Sequence, residues 1–203
     1  MGASLSGSTS DEILMAAYQA GNKTAFTQLF ERHGSSVYGF LARRLGDWAL
    51  AQDLYQETFL RVHRARQTYD STHPFRAWLF GIAHNVLADA FRARARAASV
   101  APEASGALGA TAPGPRPEDA RADGPSPEQQ AETRETVESV ARALRSLTGD
   151  EATVLLLARV EGFSYDDIAQ VIGRSTTATK QLAYRALKRV RAELAAAGQV
   201  ESA

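Results

Sequence analysis

Apolar residues recur along most of this chain at intervals of three and four, the period of a helix with one buried face. Ser10 is placed to cap a first short helix, with Asp11 and Glu12 in its opening turn, where the helix dipole favours negative charge. That helix runs to about Ala20 and ends at Gly21-Asn22. The next carries Phe26, Leu29, Phe30, Val37, Phe40 and Leu41 on one stripe and ends near Gly46. A third is expected from about Asp47 to Thr68, with Leu50, Leu54 and Val62 inward. A fourth starts near Phe75, after Pro74, and carries Trp78, Leu79, Ile82, Val86 and Phe91. No segment alternates apolar and polar residues as a half-buried strand would.

The pattern stops between residues 97 and 130. Six of the seven prolines fall there (Pro102, Pro113, Pro115, Pro117, Pro125 and Pro127), among many Ala, Gly and Ser and almost no large apolar side chains. Such a stretch cannot bury enough surface to offset chain entropy, so it is expected to be a flexible linker. Helical periodicity resumes with Val137, Val140, Ala141 and Leu144 on a helix over residues 133–147. A second helix, capped by Thr148 or Asp150, then carries Val154, Leu155 and Leu157. The expected fold class is all-α: two small helical bundles, residues 11–96 and 131–196, joined by a tether, with tails at 1–10 and 197–203.

Residues 164–194 form the clearest local motif. Ser164 followed by Asp167 has the form of a capping box, and Ile168, Ala169 and Ile172 face inward. Gly173 suits a turn that needs positive φ. Ser175 or Thr176 caps a last helix to about Ala196, on which Ala183, Leu187, Val190 and Leu194 pack inward. Small Ala169 allows a close crossing, the geometry of a helix-turn-helix whose second helix enters a major groove. Thr176, Thr177, Lys180 and Gln181 lie at the reading end of that helix, while Arg174 and Arg185 are placed to reach phosphates.

Composition changes this picture little, but charge placement sharpens it. The 203 residues are 44% hydrophobic and 23% charged, with no cysteine, so disulfides and thiolate metal sites are excluded. No apolar run is long enough to span a membrane, and the first ten residues lack the basic start and apolar core of a secretory signal; a cytoplasmic protein is expected. The net charge is zero, yet the charges are segregated. Residues 91–96 hold three arginines and no acid. Residues 173–191 hold Arg174, Lys180, Arg185, Lys188, Arg189 and Arg191, again without an acid. Each run alone could be a solvated helix face.

In the first half, Asp53, Gln56, Glu57 and Leu60 are spaced i, i+3, i+4, i+7 and share one helix face, suited to docking on a basic partner helix. No histidine stands at ligand spacing beside these carboxylates, so no metal site, cofactor or catalytic residue is assigned. Asn85, Asp89, Arg92 and Arg96 form a polar stripe on the fourth helix. The preceding loop, residues 68–74, is too polar for core and is followed by Phe75 and Trp78. Polar loops with nearby aromatics suit the grip of a base drawn out of a duplex, although Trp78 itself is read as core packing.

Taken together, these strings resemble the extracytoplasmic-function sigma factors, the smallest class of the sigma-70 family. The resemblance rests on Ala25-Phe26 through Phe40, Asp53-x-x-Gln56-Glu57-x-Phe59, Phe75-x-x-Trp78-Leu79-x-x-Ile82-Ala83-x-Asn85 and Gly162-Phe163-Ser164-Tyr165-x-x-Ile168-Ala169. It implies that Asp53, Gln56, Glu57, Phe59 and Leu60 dock on the clamp helices of the largest subunit of RNA polymerase, and that the second-largest subunit's flap is also contacted. It implies that Tyr69, Asp70, Ser71, Thr72, His73 and Phe75, with Asn85 and Arg92, capture the minus-ten element and help melt promoter DNA. Arg174, Ser175, Thr176, Thr177, Thr179, Lys180, Gln181 and Arg185 would meet the minus-thirty-five element. Such factors have no catalysis of their own and are commonly held inactive by an anti-sigma protein, under stress or developmental control. The reading helix departs from the family's usual Gly-Thr-Val-Lys-Ser-Arg, having Thr177-Ala178-Thr179-Lys180-Gln181-Leu182.

Three other readings compete, one of them a helical adaptor with a degenerate hairpin, which leaves the basic stripes unexplained. A stand-alone helix-turn-helix regulator would need a ligand, phosphorylation or dimerisation domain in the first half, and no βαβ pattern is present. A DNA-processing enzyme would need a nucleophile among clustered arginines, and Tyr55 and Tyr184 are better read as helix surface or packing.

Overall fold

The computed structural model of the protein describes residues 9–100, 139–140, 142–144 and 146–196, and every structural statement below concerns those residues. The expected linker beyond residue 100, both tails apart from residues 9 and 10, and the start of the helix expected over 133–147 lie outside them. The described residues are helical throughout, with no strand. Helices α1 (Asp11–Gln19), α2 (Lys23–Leu45), α3 (Trp48–Ala65) and α4 (Phe75–Val100) make up the first half; α5 (Gly149–Arg159), α6 (Tyr165–Ile172) and α7 (Thr176–Ala196) follow helical residues at 139–140, 142–144 and 146 in the second.

The helix boundaries have local causes. The Ser10 hydroxyl oxygen accepts from the Ile13 N–H, and the Asn22 carboxamide oxygen accepts from the N–H groups of Thr24 and Ala25. Gly46, at φ +64°, ends α2 in the left-handed region, and Asp47 caps α3 through the Leu50 N–H at 3.1 Å. Thr148, rather than Asp150, caps α5: the Glu151 carboxylate accepts from the Thr148 N–H at 2.9 Å and from its hydroxyl at 3.0 Å. Two expected ends shift. The third helix stops at Ala65 and tightens into a 3₁₀ turn over Arg66–Thr68, and α4 continues to Val100, past the expected end at residue 96.

In the first half, Leu14, Met15, Leu29, Val37, Phe40, Leu41, Leu79 and Phe80 are completely buried. An aromatic ladder of Tyr18, Phe26, Phe30, Phe59, Tyr55, Tyr38 and Trp48 runs along the α2–α3 seam with centroid separations of 4.6–6.3 Å. A smaller cluster in the second half joins Leu147, Ala152, Leu155 and Ala186.

The periodicity predicted two separate bundles, whereas the structure packs them together. α4 lies along α6, and the buried cluster of the first half runs without a break into Val154, Leu157, Phe163, Ile168 and Val171. Phe80 and Phe163 meet edge to face at 5.1 Å across this junction.

Candidate nucleic-acid interface

Three surfaces gather the residues singled out from sequence. On α3, Asp53 and Gln56 are exposed and make no hydrogen bond or ion pair among the described residues, and Leu60 is 49% exposed beside them. Glu57 is held differently. Its carboxylate accepts from Arg61 Nε at 2.8 Å, while Arg61 Nη1 reaches Asp89 on α4 at 2.7 Å. Phe59 turns the other way: it is buried, with its ring at 4.7 Å from Phe30 and 5.1 Å from Tyr55. Its place in the expected docking set is corrected accordingly, because the helix period puts position 59 about 100° from position 60, on the core side.

The loop between the 3₁₀ turn and α4 is rigidly built. Gln19 donates from Nε2 to the carbonyls of Arg66 (2.8 Å) and Tyr69 (2.9 Å). Asp70 accepts from the Thr72 N–H at 2.9 Å, and the Tyr69 hydroxyl donates to the His73 carbonyl at 2.6 Å. Burial, with the charges of Glu12, Asp11 and Asp70 nearby, pushes the Tyr69 phenol up to about 12, so it stays a donor. Glu12 caps α4 from a distance by accepting the Phe75 N–H at 3.1 Å. Tyr69 and Phe75 are both buried, with Trp78 half-buried between them. Of the expected minus-ten residues, then, Asp70, Ser71, Thr72, His73, Asn85 and Arg92 are exposed. Phe75 and Tyr69 are corrected to supports of the loop, since their rings are the floor that holds it. Arg92 also donates to Asp89 at 2.6 Å. A cleft of about 590 Å³ lies against this loop, lined on the first half by Asp70, His73, Trp78, Ile82 and Asn85 among others, and on the second by Gln170 and Val171.

The third surface is the helix-turn-helix. Ser164 accepts from the Asp167 N–H at 3.1 Å and donates its hydroxyl proton to the Asp167 carboxylate at 2.7 Å; the return bond to the Ser164 N–H that would complete the expected capping box is not among those of the described residues, Asp being one methylene shorter than Glu. Gly173 takes φ +64° at the turn. Ser175 is the cap of α7, accepting from the Ala178 N–H at 3.2 Å, and Thr176 donates back to Asp166 at 2.6 Å. Arg174 is paired with Asp150 at 2.6 Å. Thr177, Lys180, Gln181 and Arg185 are exposed along one side of α7, together with Lys188. Thr179 is the exception. It is fully buried and donates to the Ser175 carbonyl at 3.0 Å, so its expected place at the DNA is corrected to packing. Leu182, at the family's arginine position, packs against the core.

Tyr184, read from the sequence as helix surface or packing, is surface. It is 70% exposed and lines a shallow depression with Lys180, Gln181 and Arg185. Its spacing of i+4 from Lys180 and i+3 from Gln181 places it on the same side of α7 as those residues, and that spacing was available in the sequence.

The chain is similar to known proteins. Family models for sigma-70 region 2 and sigma-70 region 4 match residues 29–97 and 138–190. The RNA polymerase sigma factor CarQ of Myxococcus xanthus is 34% identical over 177 residues, covering 87% of this chain and 93% of CarQ. The ECF RNA polymerase sigma factor SigD of Mycobacterium tuberculosis is 30% identical over 192 residues, covering 92% of this chain and 85% of SigD. CnrH, a sigma factor of Cupriavidus metallidurans, is 34% identical over 175 residues, covering 84% of this chain and 86% of CnrH. Its solved structure in complex with the cytosolic domain of CnrY aligns at a TM-score of 0.67 and 28% identity, over 93% of this chain and 99% of that one. Matches that span the first half as well as the helix-turn-helix do not favour a stand-alone regulator. The chain belongs to the sigma-70 family as an ECF RNA polymerase sigma factor, a factor for transcription initiation.

Proposed function

We propose that this sigma factor divides promoter recognition among its three exposed surfaces. Asp53, Gln56 and Leu60, with Glu57 at the edge, dock on the clamp helices of core polymerase. Asp70, Ser71, Thr72, His73 and Asn85 hold an extruded base of the minus-ten strand, with Arg92 near the backbone. Thr177, Lys180, Gln181 and Arg185 face the minus-thirty-five duplex, flanked by Ser175, Thr176 and, once freed from Asp150, Arg174. The polymerase flap receives the second half. The observation that carries this reading is the loop beside Asn85: a hydrogen-bonded polar rim over an aromatic floor of Tyr69, Phe75 and Trp78. Such a rim can read a base edge that the duplex would otherwise hide. The protein works in the cytoplasm, and control comes from an anti-sigma partner, as the pairing of CnrH with the cytosolic domain of CnrY supports.

The test is core binding together with run-off transcription by the purified protein. Asp53→Lys should weaken binding to core polymerase by on the order of tenfold, through like-charge contact in place of attraction. Its melting temperature should not change, because the Asp53 side chain holds nothing else. Unchanged core affinity would remove the docking assignment. Run-off transcripts that do not depend on the added protein would sink the wider reading.

A further inference from the structure

Both ends of the minus-ten loop are held from outside the loop, by one face of α1. Glu12 and Gln19 are seven residues apart, two turns of helix, so they lie on the same side of α1 and are separated by about 10 Å along its axis. Gln19 holds the near end. Its Nε2 donates to the carbonyls of Arg66 at 2.8 Å and Tyr69 at 2.9 Å, and Gln67 Nε2 returns a bond to the Gln19 carbonyl at 3.1 Å. Glu12 holds the far end, its carboxylate accepting from the Phe75 N–H at 3.1 Å. Between the two points run Asp70, Ser71, Thr72, His73 and Pro74, all exposed.

α1 needs neither side chain for its own place. Leu14, Met15 and Tyr18 are buried on it, and Asp11 pairs with His33 on α2 at 2.7 Å. Glu12 and Gln19 are only half-buried, and among the described residues their side chains hydrogen-bond to nothing but the loop. The bonds inside the loop, Thr72 to Asp70 and Tyr69 to His73, span at most four positions. They shape its local turns without fixing how far apart its ends stand. A base edge is read only by polar groups at set positions, and a loop ordered in advance loses less freedom on binding.

We propose that Glu12 and Gln19 are positioning residues for base capture, and that α1 is a brace that sets the separation of the two ends of the minus-ten loop. Neither residue meets DNA; each acts through the loop backbone. The brace stands on its own contacts, whereas its effect on promoter binding rests on the reading of this loop as the minus-ten contact.

The two positions ask for different chemistry. Glu12 has to accept a hydrogen bond, which Gln can also do and Met cannot; Gln19 has to donate, which Met cannot. Glu12→Gln and Glu12→Met lose the same charge, so they differ in the bond alone. The variants are assembled with core polymerase and titrated by anisotropy against two fluorescent single strands. One carries the minus-ten sequence of a promoter that this factor transcribes in run-off assays, and the other carries it scrambled. Gln19→Met and Glu12→Met should each lower affinity for the minus-ten strand by on the order of tenfold, with affinity for the scrambled strand and for core unchanged. Glu12→Gln should bind as the parent does. Amide hydrogen exchange over residues 66–75 should quicken in the two Met variants only. A preference between strands that survives both Met substitutions, or equal loss in Glu12→Gln and Glu12→Met, overturns the positioning role. So does a Met variant that loses its helicity, which would mark that residue as a support of the fold. Unchanged exchange in both Met variants overturns the brace. A parent holoenzyme that does not distinguish the strands would instead remove the loop's assignment, and the exchange measurement would still decide the brace.

Discussion

Neighbouring positions on one helix have opposite duties here, and only burial separates them. Leu60 is exposed on α3 while Phe59 is in the aromatic seam; Lys180 is exposed on α7 while Thr179 is buried. Substitutions should divide along the same line. Tyr184→Ala should reduce affinity for a duplex carrying the minus-thirty-five sequence by on the order of tenfold, the size of one good contact, and leave the melting temperature unaltered. Phe59→Ala should behave in the opposite way, costing about 3–5 kcal/mol of stability from a filled seam. Equilibrium denaturation and duplex titration of the two variants check the pair; a Tyr184→Ala protein that unfolds early while keeping its DNA affinity would return Tyr184 to packing.

At the scale of elements, the helices and their ends were legible because their causes are local. Ser10, Ser164 and the glycine turns act through groups within four residues, which is the range that spacing can reveal. Where a terminus is set from a distance, the sequence had no signal: Glu12 caps α4 across 63 positions, and Gln19 ties down the loop ahead of it. The Gly173 turn is open to a direct test. A Cβ there meets no neighbouring atom, so the cost of Gly173→Ala is backbone strain at φ +64° alone, about 1–2 kcal/mol. Chemical denaturation should register that loss in the second half, with minus-thirty-five affinity falling as the angle between α6 and α7 loosens. A variant as stable as the parent would show that the turn relaxes to negative φ at no cost.

For the whole molecule, the junction between the halves should respond to pH. His84 on α4 is largely buried there; its Nδ1 is 3.2 Å from the Thr153 hydroxyl, and its Nε2 is 3.7 Å from Asp150, which also holds Arg174. Burial holds its pKa below the usual histidine range; Asp150 opposes that shift and Arg44 on α2 adds to it. A group depressed in the closed form binds its proton more readily when open, so the closed form is favoured above about pH 6.5 and loses ground as pH falls through the lowered value. With dyes on Thr27→Cys and Arg191→Cys, one in each half of the cysteine-free chain, energy transfer should therefore drop on acidification below about pH 6.5, and His84→Gln should flatten that response. A parent protein whose transfer is constant down to pH 5 would exclude His84 as a contributor.

By itself the sequence determined the helical class, the caps, the motif order and thereby the family, since all of these are written in spacings of three and four or in short strings. The exposed members of each surface followed partly, because a helical period separates inner from outer faces without saying which polar group another helix will claim. The pairing of Arg174 with Asp150 and the enclosure of Glu161 by Arg76 and Arg43 join residues 24 to 118 positions apart, and no local pattern encodes them. Only the tertiary structure could decide that the halves close on each other, because that contact depends on the shapes of α4 and α6 meeting, and each helix already accounts for its own apolar face within its half.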